Sequence, residues 1–428
     1  MSKLETLSLM SLVQNGEISK TGAKPKLPTT IPNLNETLLE VYRIPLHLLY
    51  YNDENGRIAS AISRLDQKLS PSRDLEDDVY NNTIEQIIVE ESFASFKKTK
   101  KSIKEKGQQV FGYVLDDGRV IDGNRRFTAH RQISKENNSS QFFEAVILPF
   151  TYASKAQRAE IKRLELAIQM GQEEREDYDP VDLSVDIYQT IRKDGLMTEA
   201  DYAQEANIPV KDIKHHIRTV ELMRDFLSFI NADQNAYYLI KDTKLYTPLY
   251  ELSKKLERLF KLGTPVYEQT KVTGFSMLLK MVATGGDIGR EFRVYMKDVM
   301  SSSDINNNFN DSIDDAINDL RDTFEFDEVR TASEFRSILD NSTPSLRKIN
   351  AEYSQTINRI SRGKSVEELI SDIQNIANTL EDLKCGDGLT GSLSFNNIDQ
   401  NQINQIRDLM IKINIASREL VNIYEDEI

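Results

Sequence analysis

Residues 110–129 constrain the fold more than any other part of the sequence. The run Val110-Phe-Gly-Tyr-Val-Leu115 favours a strand, and Asp116-Asp-Gly118 is typical of a hairpin turn. The returning strand, Arg119-Val-Ile121, is followed at once by Asp122-Gly-Asn-Arg-Arg-Phe-Thr-Ala129, which runs into a helix. The sequence therefore predicts a β-hairpin that leads directly into a helix.

The junction between that strand and helix has the composition of a phosphate-binding loop. Gly123 allows the backbone to approach an anion, and the free N–H groups at the start of a helix point toward it. Arg125 and Arg126 would add charge-assisted contacts, and Asp122 beside phosphates makes sense as a metal ligand or a base. The alternative is a second tight turn with two surface arginines.

The distribution of charge bears on nucleic-acid binding more than its total does. The chain has 68 Asp and Glu against 54 Lys and Arg, a net charge of −14, which argues against a uniformly basic coat protein. Residues 301–428 hold 24 acidic and 12 basic side chains and supply −12 of that charge. The first 300 residues are close to neutral and can carry a basic face.

Several classes of protein are excluded or disfavoured by composition. No stretch approaches the roughly 20 apolar residues of a membrane-spanning helix, and the N-terminus lacks a basic and apolar leader, so we expect a cytoplasmic protein without a membrane partner. The single cysteine, Cys385, excludes an internal disulfide and a zinc site built on two or more cysteines. The four histidines show no metal-ligand spacing.

The segment from Thr198 to Arg218 has the spacing of a helix-turn-helix. Ala203 allows a close helix crossing, Asn207 suits the left-handed turn position, and isoleucines bury the second helix. We expect that helix to expose a basic face that contacts DNA, made of Lys211, Lys214, His215 and Arg218. The alternative is an ordinary helical hairpin with a solvated basic face.

A second basic run precedes the β-hairpin. It consists of Lys97, Lys98, Lys100, Lys101 and Lys104 on a predicted helix. It is either a solvated helix face or an additional contact for a nucleic-acid backbone.

Two C-terminal segments, 366–383 and 403–420, repeat apolar residues at spacings of three and four. Glycines at 386, 388 and 391 lie between them. The pattern predicts two helices joined by a loop, which pack either on one another or on a second subunit.

The order and spacing of five segments resemble the N-terminal region of the ParB/sulfiredoxin superfamily. They are Ile44-Pro45 with Leu48-Leu49, Asn55-Gly-Arg57, Ser102-Ile-Lys-Glu-Lys-Gly107, Val120–Ala129 and Arg175-Glu-Asp-Tyr-Asp-Pro180. In ParB partition proteins the fourth segment reads Gly-Glu-Arg-Arg-x-x-Ala and binds nucleotide phosphates. Gly123, Asn124, Arg125, Arg126 and Ala129 match it, with Asn in place of Glu.

The resemblance implies a nucleotide site with departures from the partition proteins. It assigns the phosphates of CTP or ATP to residues 123–126. The position of Arg57 in the Asn-Gly-Arg loop makes it a candidate for a further phosphate ligand. ParB proteins carry Glu-Asn before the Arg of the fifth segment, whereas this chain has Gly171 and Gln172, followed by Glu173 and Glu174. Hydrolysis by the partition-protein mechanism is therefore not expected. The loop also lacks the catalytic cysteine of sulfiredoxins.

An enzymatic alternative comes from ParB-like relatives whose motif reads Asp-Gly-x-x-Arg, which include nucleases and NTPases. For this alternative the catalytic candidates are Asp122, Glu173 and Glu174. Asp122 would then bind Mg²⁺ against the nucleotide.

The predicted fold class is an α+β, ParB/sulfiredoxin-like N-terminal domain followed by mainly α-helical central and C-terminal domains. The boundaries follow Pro25, Pro28 and Pro32 and the polar stretch from Ser301 to Asn310. The predicted parts are a flexible arm (1–40), the nucleotide-binding domain (41–153), the helix-turn-helix domain (154–230), a helical connector (231–300) and an acidic helical domain (301–428).

These features favour a bacterial, ParB-like DNA-binding protein whose engagement of DNA is controlled by a bound nucleoside triphosphate. Its expected partners are DNA, a second copy of the chain in a homodimer, and a basic protein for the acidic C-terminal domain. The alternatives are a metal-dependent nuclease or NTPase, serving in mobile-element or phage defence, and a protein-interaction regulator.

Overall fold

The computed structural model describes residues 8–26, 38–65, 69–71, 79–152, 154–171, 178–325, 328–362, 366–384 and 399–426. The strands are β1 (Ser19–Lys20), β2 (Val41–Pro45), β3 (Tyr50–Tyr51), β4 (Gly112–Leu115), β5 (Arg119–Asp122) and β6 (Phe142–Leu148). The helices of the N-terminal half are α1 (Leu9–Gln14), α2 (Ala59–Ile62), α3 (Val79–Glu91), α4 (Phe93–Lys106), α5 (Asn124–Asn137), α6 (Lys155–Gly171), α7 (Pro180–Tyr188) and α8 (Glu199–Ala206).

The remaining α-helices complete the chain. They are α9 (Val210–Phe229), α10 (Tyr237–Asp242), α11 (Tyr246–Leu259), α12 (Pro265–Thr284), α13 (Ile288–Val294), α14 (Ser303–Glu325), α15 (Ala332–Asn341), α16 (Thr343–Arg362), α17 (Val366–Lys384) and α18 (Gln400–Asp426). Short 3-10 helices cover Leu46–Leu48 and Gly56–Ile58, and π-helical turns cover Gln189–Lys193 and Tyr295–Val299. The fold is a mixed sheet near the N-terminus followed by helices.

The six strands form one sheet in the order β1-β2-β6-β4-β5-β3. β4 and β5 are the antiparallel hairpin that the sequence predicts, although β4 begins at Gly112 rather than at Val110. Gly118 makes the turn with φ of 93°, and its N–H donates to the Leu115 carbonyl at 3.0 Å. β6 pairs parallel with β4 and antiparallel with β2, so it joins the hairpin to β2 and β1, whereas β3 pairs with β5 on the other side.

Helices cover both faces of the sheet because the strand residues alternate between two cores. On one face Val114, Val120, Phe143 and their neighbours are buried against α3 and α5. On the other face, a second set of side chains is buried against α6, namely Val41, Tyr113, Leu115, Ile121, Val146 and Leu148. The period-2 alternation of a strand therefore builds two hydrophobic layers from one hairpin.

Residues 8–26 differ from the predicted flexible arm. Leu9 and Ile18 are buried in the α3–α5 core, and the N–H of Leu9 donates to the Asp116 carbonyl at 2.8 Å. β1 pairs with β2 as an edge strand. The main-chain groups of β1 pair with those of β2, which would otherwise lack partners at the edge of the sheet. This pairing holds the segment against the sheet.

The chain divides into two compact units, residues 1–356 and 357–428. The boundary predicted at residues 301–310 is replaced by the continuous helix α14, in which Asn306 and Asn310 are buried. Both amides donate to the Thr270 hydroxyl of α12, at 2.8 and 3.0 Å. A polar run enters the core here because its amides are satisfied by a hydroxyl on the neighbouring helix.

The second unit contains α17 and α18, the two helices predicted from apolar spacing. The glycines predicted to join them, and Cys385, lie outside the described residues. Among the helices that the structure describes, none is long and apolar enough to cross a membrane.

Candidate phosphate-binding site

The junction between β5 and α5 has the geometry that the sequence predicts. Asp122 ends the strand, Gly123 adopts the left-handed conformation with φ of 95° and ψ of 20°, and α5 begins at Asn124. No side chain caps the start of α5. The first N–H groups of a helix have no intrahelical partner, and together with the helix dipole they favour an anion at this end.

Glycine is required at position 123 for two reasons. Its φ is one that residues with a side chain rarely adopt. An added Cβ would also lie 2.9 Å from Phe143 Cζ and 3.0 Å from Arg126 Nη2. The close approach of the Arg126 side chain to this backbone therefore depends on glycine.

Arg126 is anchored across the junction. Its Nη2 donates to Asp122 Oδ2 at 2.9 Å and to the Phe111 carbonyl at 3.3 Å. The buried atoms Arg126 Nε and Asn124 Oδ1 have no hydrogen-bond partner among the described residues. Buried polar atoms are rarely left unsatisfied in native proteins. A free guanidinium N–H beside an uncapped helix start fits a phosphate oxygen, and the free amide oxygen fits a hydroxyl or an amino group.

The described residues fit a bound metal ion less well than they fit a phosphate. The carboxylate of Asp122 is paired with Arg126 rather than directed to a cation site. Within the described part of the chain, no group of three or more His, Cys, Asp or Glu side chains is arranged to hold a metal ion. Gln172, Glu173, Glu174 and residues 175–177 lie outside the described residues. A Mg²⁺ ion held by Asp122 therefore stays a prediction without support from the site's geometry.

The Asn55-Gly-Arg57 loop is attached to the helical region. The Asn55 side chain accepts from Arg57 N at 3.0 Å, and the Arg57 guanidinium lies 5.2 Å from the centre of the Tyr178 ring. The Cα of Gly56 packs so closely that an added Cβ would lie 2.4 Å from Asp186 Oδ1. The contact described for Arg57 is thus with Tyr178, just before α7.

Beneath this loop lies a buried polar network that sequence reasoning missed. The Lys162 ammonium of α6 lies 2.5 Å from Asp186 Oδ1 and 3.3 Å from Glu165 Oε2. The hydroxyl of Tyr202 in α8 donates to Asp186 Oδ2 at 2.7 Å. Asp186 therefore links α6, α7 and α8. The available signal was the placement of Lys162 and Glu165 among apolar residues of one helix.

Burial sets the protonation of this network. For Glu165, burial raises the pKa from its ordinary value of 4.5 to about 7, against the opposing charge of Lys162. For Lys162, burial would lower the pKa, but the carboxylates of Asp186 and Glu165 outweigh it and raise the pKa. Burial also raises the pKa of the Tyr202 hydroxyl.

The raised pKa of Glu165 predicts a pH-dependent stability. Between about pH 4.5 and pH 7 the folded state holds a proton that the unfolded state has lost, so the unfolding free energy should fall as pH rises. Glu165→Gln should remove this part of the dependence. Chemical denaturation at pH 5 and pH 7.5 measures it, with Glu160→Gln on the same helix as the control substitution. An equal change in the free energy of unfolding between pH 5 and pH 7.5 for the wild type and for Glu165→Gln would contradict the raised pKa of Glu165.

α8 and α9 are two helices joined by a short turn at Asn207, in the segment where the sequence predicts a helix-turn-helix. Thr198 and Asp201 make a capping box at the start of α8, with the Asp201 N–H donating to the Thr198 hydroxyl at 3.1 Å. Asn207 adopts the left-handed conformation with φ of 52° at the turn. The side chains of Ile213 and Ile217 are buried. α9 continues to Phe229, well beyond Arg218, where the predicted helix-turn-helix segment ends.

Three of the four residues predicted to contact DNA are exposed on α9. Lys211, Lys214 and Arg218 face solvent. Lys214 Nζ lies 3.7 Å from Glu199 Oε2, and Arg218 pairs with Glu257 of α11. These exposed ion pairs are weak enough to be exchanged for phosphate contacts.

The prediction for His215 is wrong. Its side chain is buried, with its ring centre 4.4 Å from that of Tyr250 on α11 and Nε2 3.3 Å from the Tyr250 carbonyl. Burial lowers the pKa of His215 to about 4, so the ring is neutral at physiological pH. The packing of α11 on α9 removes His215 from the basic face.

Comparison with known proteins adds little to this site. No family model matches the sequence, and no curated protein matches it. Among solved structures, the C-terminally truncated chromosome-partitioning protein ParB from Caulobacter crescentus, complexed with CTP-γ-S, aligns with 12% identity over 50% of this chain and 97% of its own. The TM-score of that alignment is 0.18, which is too low to carry a conclusion about this chain.

Proposed function

We propose that this protein binds DNA through α9 under the control of a nucleoside triphosphate bound at the start of α5. The observation that carries the proposal is the β5–α5 junction, where Gly123 leaves an uncapped helix start beside the unsatisfied Arg126 Nε. Helix starts of this kind bind phosphate groups through their N–H groups and the helix dipole.

The residues assigned to the nucleotide are Gly123, Asn124, Arg125 and Arg126, with Arg57 as a further phosphate ligand. The resemblance of this loop to the Gly-x-Arg-Arg motif of ParB proteins favours CTP or ATP. A Mg²⁺ ion would reach the site with the phosphates, because the described residues do not form a metal site of their own.

Coupling between the nucleotide and DNA would pass through Asp186. The Asn55-Gly-Arg57 loop packs on Asp186 at Gly56, and Asp186 accepts from Tyr202 of α8, the first helix of the proposed helix-turn-helix. A phosphate that draws Arg57 away from Tyr178 would alter the packing of this loop on α7. The nucleotide controls DNA binding only if it binds one arrangement of these helices better than the other.

DNA binding is tested at the exposed basic face of α9. Each lost phosphate contact reduces the slope of log K against log salt by about 0.9, so Lys214→Ala with Arg218→Ala should reduce it by about 1.8. Fluorescence anisotropy with a labelled duplex, with and without CTP, ATP or GTP, measures both the slope and the nucleotide effect.

Lys348→Ala with Arg347→Ala is the matched control, since both side chains are exposed on α16. Its slope should equal that of the wild type. If none of the three nucleotides changes the affinity for DNA, the proposal that a nucleotide controls DNA binding is wrong. An undiminished slope in the α9 variant would remove α9 as the DNA contact.

The nuclease or NTPase alternative lacks an observation in its favour, because Asp122 is paired with Arg126. The same incubations test it, since duplex cleavage or nucleotide turnover would be detected directly. Homodimer formation, a basic protein partner for the acidic C-terminal region and a cytoplasmic location are further parts of the proposal.

A further inference from the structure

The helix α4 carries a strongly basic surface that the proposed nucleotide site and α9 do not use. Its exposed side chains Lys97, Lys98, Lys101 and Lys104 lie at spacings of one, three and four, so they form one contiguous stripe, here called the lysine ridge. The whole helix has six lysines and one glutamate, in a chain whose net charge is −14.

Ordinary structural roles account for only part of this charge. Glu136 of α5 is held by Lys100 Nζ at 2.5 Å and by Lys104 Nζ at 2.6 Å, which fastens α4 to α5. These hydrogen bonds lower the pKa of Glu136 to about 2. Lysines in the last turn also stabilise a helix through its dipole. Those effects explain Lys104 and Lys106.

Lys97 and Lys98 have no such explanation. They lie in the second turn of α4, away from the C-terminal end of the dipole. Among the described residues, no carboxylate forms an ion pair with either ammonium group, and Lys97 Nζ instead lies 4.2 Å from the ring centre of the exposed Phe93. Lys101 has one partner, Glu105 at 3.8 Å, and both side chains are exposed.

We infer that the lysine ridge binds the phosphate backbone of nucleic acid. Lys97 and Lys104 are seven positions apart, about 10 Å along the helix axis. One strand of duplex DNA has a phosphate about every 3.4 Å along its axis, so the ridge spans about three phosphates. The contact requires no base sequence, since lysine ammonium groups act on phosphates as point charges.

A membrane surface fits this helix less well. Amphipathic helices bind membranes by inserting an apolar face. The apolar face of α4 is already buried, with Phe96 and Ile103 packed against Ala129 and Ile133 of α5. At its beginning, Phe93 is the one large apolar side chain of α4 that remains exposed. The ridge can therefore contribute charge but no apolar face.

The test is a triple substitution, Lys97→Ala with Lys98→Ala and Lys101→Ala, in the full chain. These positions leave the Glu136 pairs intact. On a labelled duplex of arbitrary sequence without nucleotide, the slope of log K against log salt should fall by about 2.7. The matched control removes three exposed charges elsewhere, by Lys297→Ala, Arg347→Ala and Lys412→Ala. It should leave the slope unchanged.

The outcome separates the ridge from the proposed function. If both surfaces bind DNA, combining the triple substitution with Lys214→Ala and Arg218→Ala should lower the slope of log K against log salt further. If DNA binding does not depend on a nucleotide, the proposed function fails, but the triple substitution should still lower the slope. A slope equal to that of the control would overturn the inference. So would absence of duplex binding by the wild type at low salt, or ridge-dependent sedimentation with phosphatidylserine vesicles without any effect on DNA.

Discussion

Asp186→Ala is expected to lower the free energy of unfolding by about 3 kcal/mol, as for other broken buried ion pairs. The side chains of Lys162 and Asp186 are only 8% and 4% exposed. Removing the carboxylate leaves the Lys162 ammonium buried with Glu165 as its remaining partner, and it leaves the Tyr202 hydroxyl without its acceptor. Urea denaturation followed by circular dichroism measures the loss.

The control for this prediction is Asp242→Ala. Asp242 pairs with Arg64 at 3.1 Å, but the side chains are 39% and 50% exposed, so its loss should cost less than about 1 kcal/mol. Asp186→Asn should fall between the two, because the amide keeps an acceptor for Tyr202 and removes the charge. A cost for Asp186→Ala no larger than that for Asp242→Ala would show that the network does not stabilise the helical region.

Arg126→Ala is expected to weaken nucleoside triphosphate binding at least about tenfold. A hydrogen bond to a charged group contributes about 1.5–3 kcal/mol, which corresponds to about ten- to a hundredfold in affinity. Arg126 Nε is the unsatisfied donor beside the uncapped start of α5. Isothermal titration calorimetry with CTP, ATP and GTP in the presence of Mg²⁺ gives the affinities.

Two further variants make this result interpretable. Arg43→Ala removes an arginine from β2, where its side chain is 59% exposed and pairs with Glu144, and should leave affinity unchanged. Asp122→Asn keeps an acceptor for Arg126, so a large loss there would indicate that the carboxylate itself contacts the ligand. If Arg126→Ala binds every nucleotide as tightly as the wild type, the phosphate assignment fails.

Local signals predicted the backbone elements around the candidate site. The β-hairpin, the glycine at the start of α5 and the turn at Asn207 all depend on the backbone preferences of one or two residues. Gly123 and Asn207 adopt the left-handed conformation, which few other residue types tolerate. Such signals are present in the sequence itself, whatever the rest of the chain does.

The errors arose where a distant segment decides the environment. His215 lies at helical spacing with the basic residues, but Tyr250 of α11 covers it. The arm was expected to be flexible, but β2 provides a partner for Ser19 and Lys20. In the sequence, the asparagines of α14 are typical of a linker, but in the structure two of them donate hydrogen bonds to Thr270 of α12.

The sequence by itself determined the β4–β5 hairpin, the helix start after Gly123 and the turn at Asn207. Only the tertiary structure decided that His215 is buried and that Asp186 joins three helices around Lys162. The physical reason is that backbone conformation is governed mainly by neighbouring residues, whereas burial and ion pairing depend on which segments meet. Asp186 and Lys162 are 24 positions apart, and no local pattern specifies that they meet.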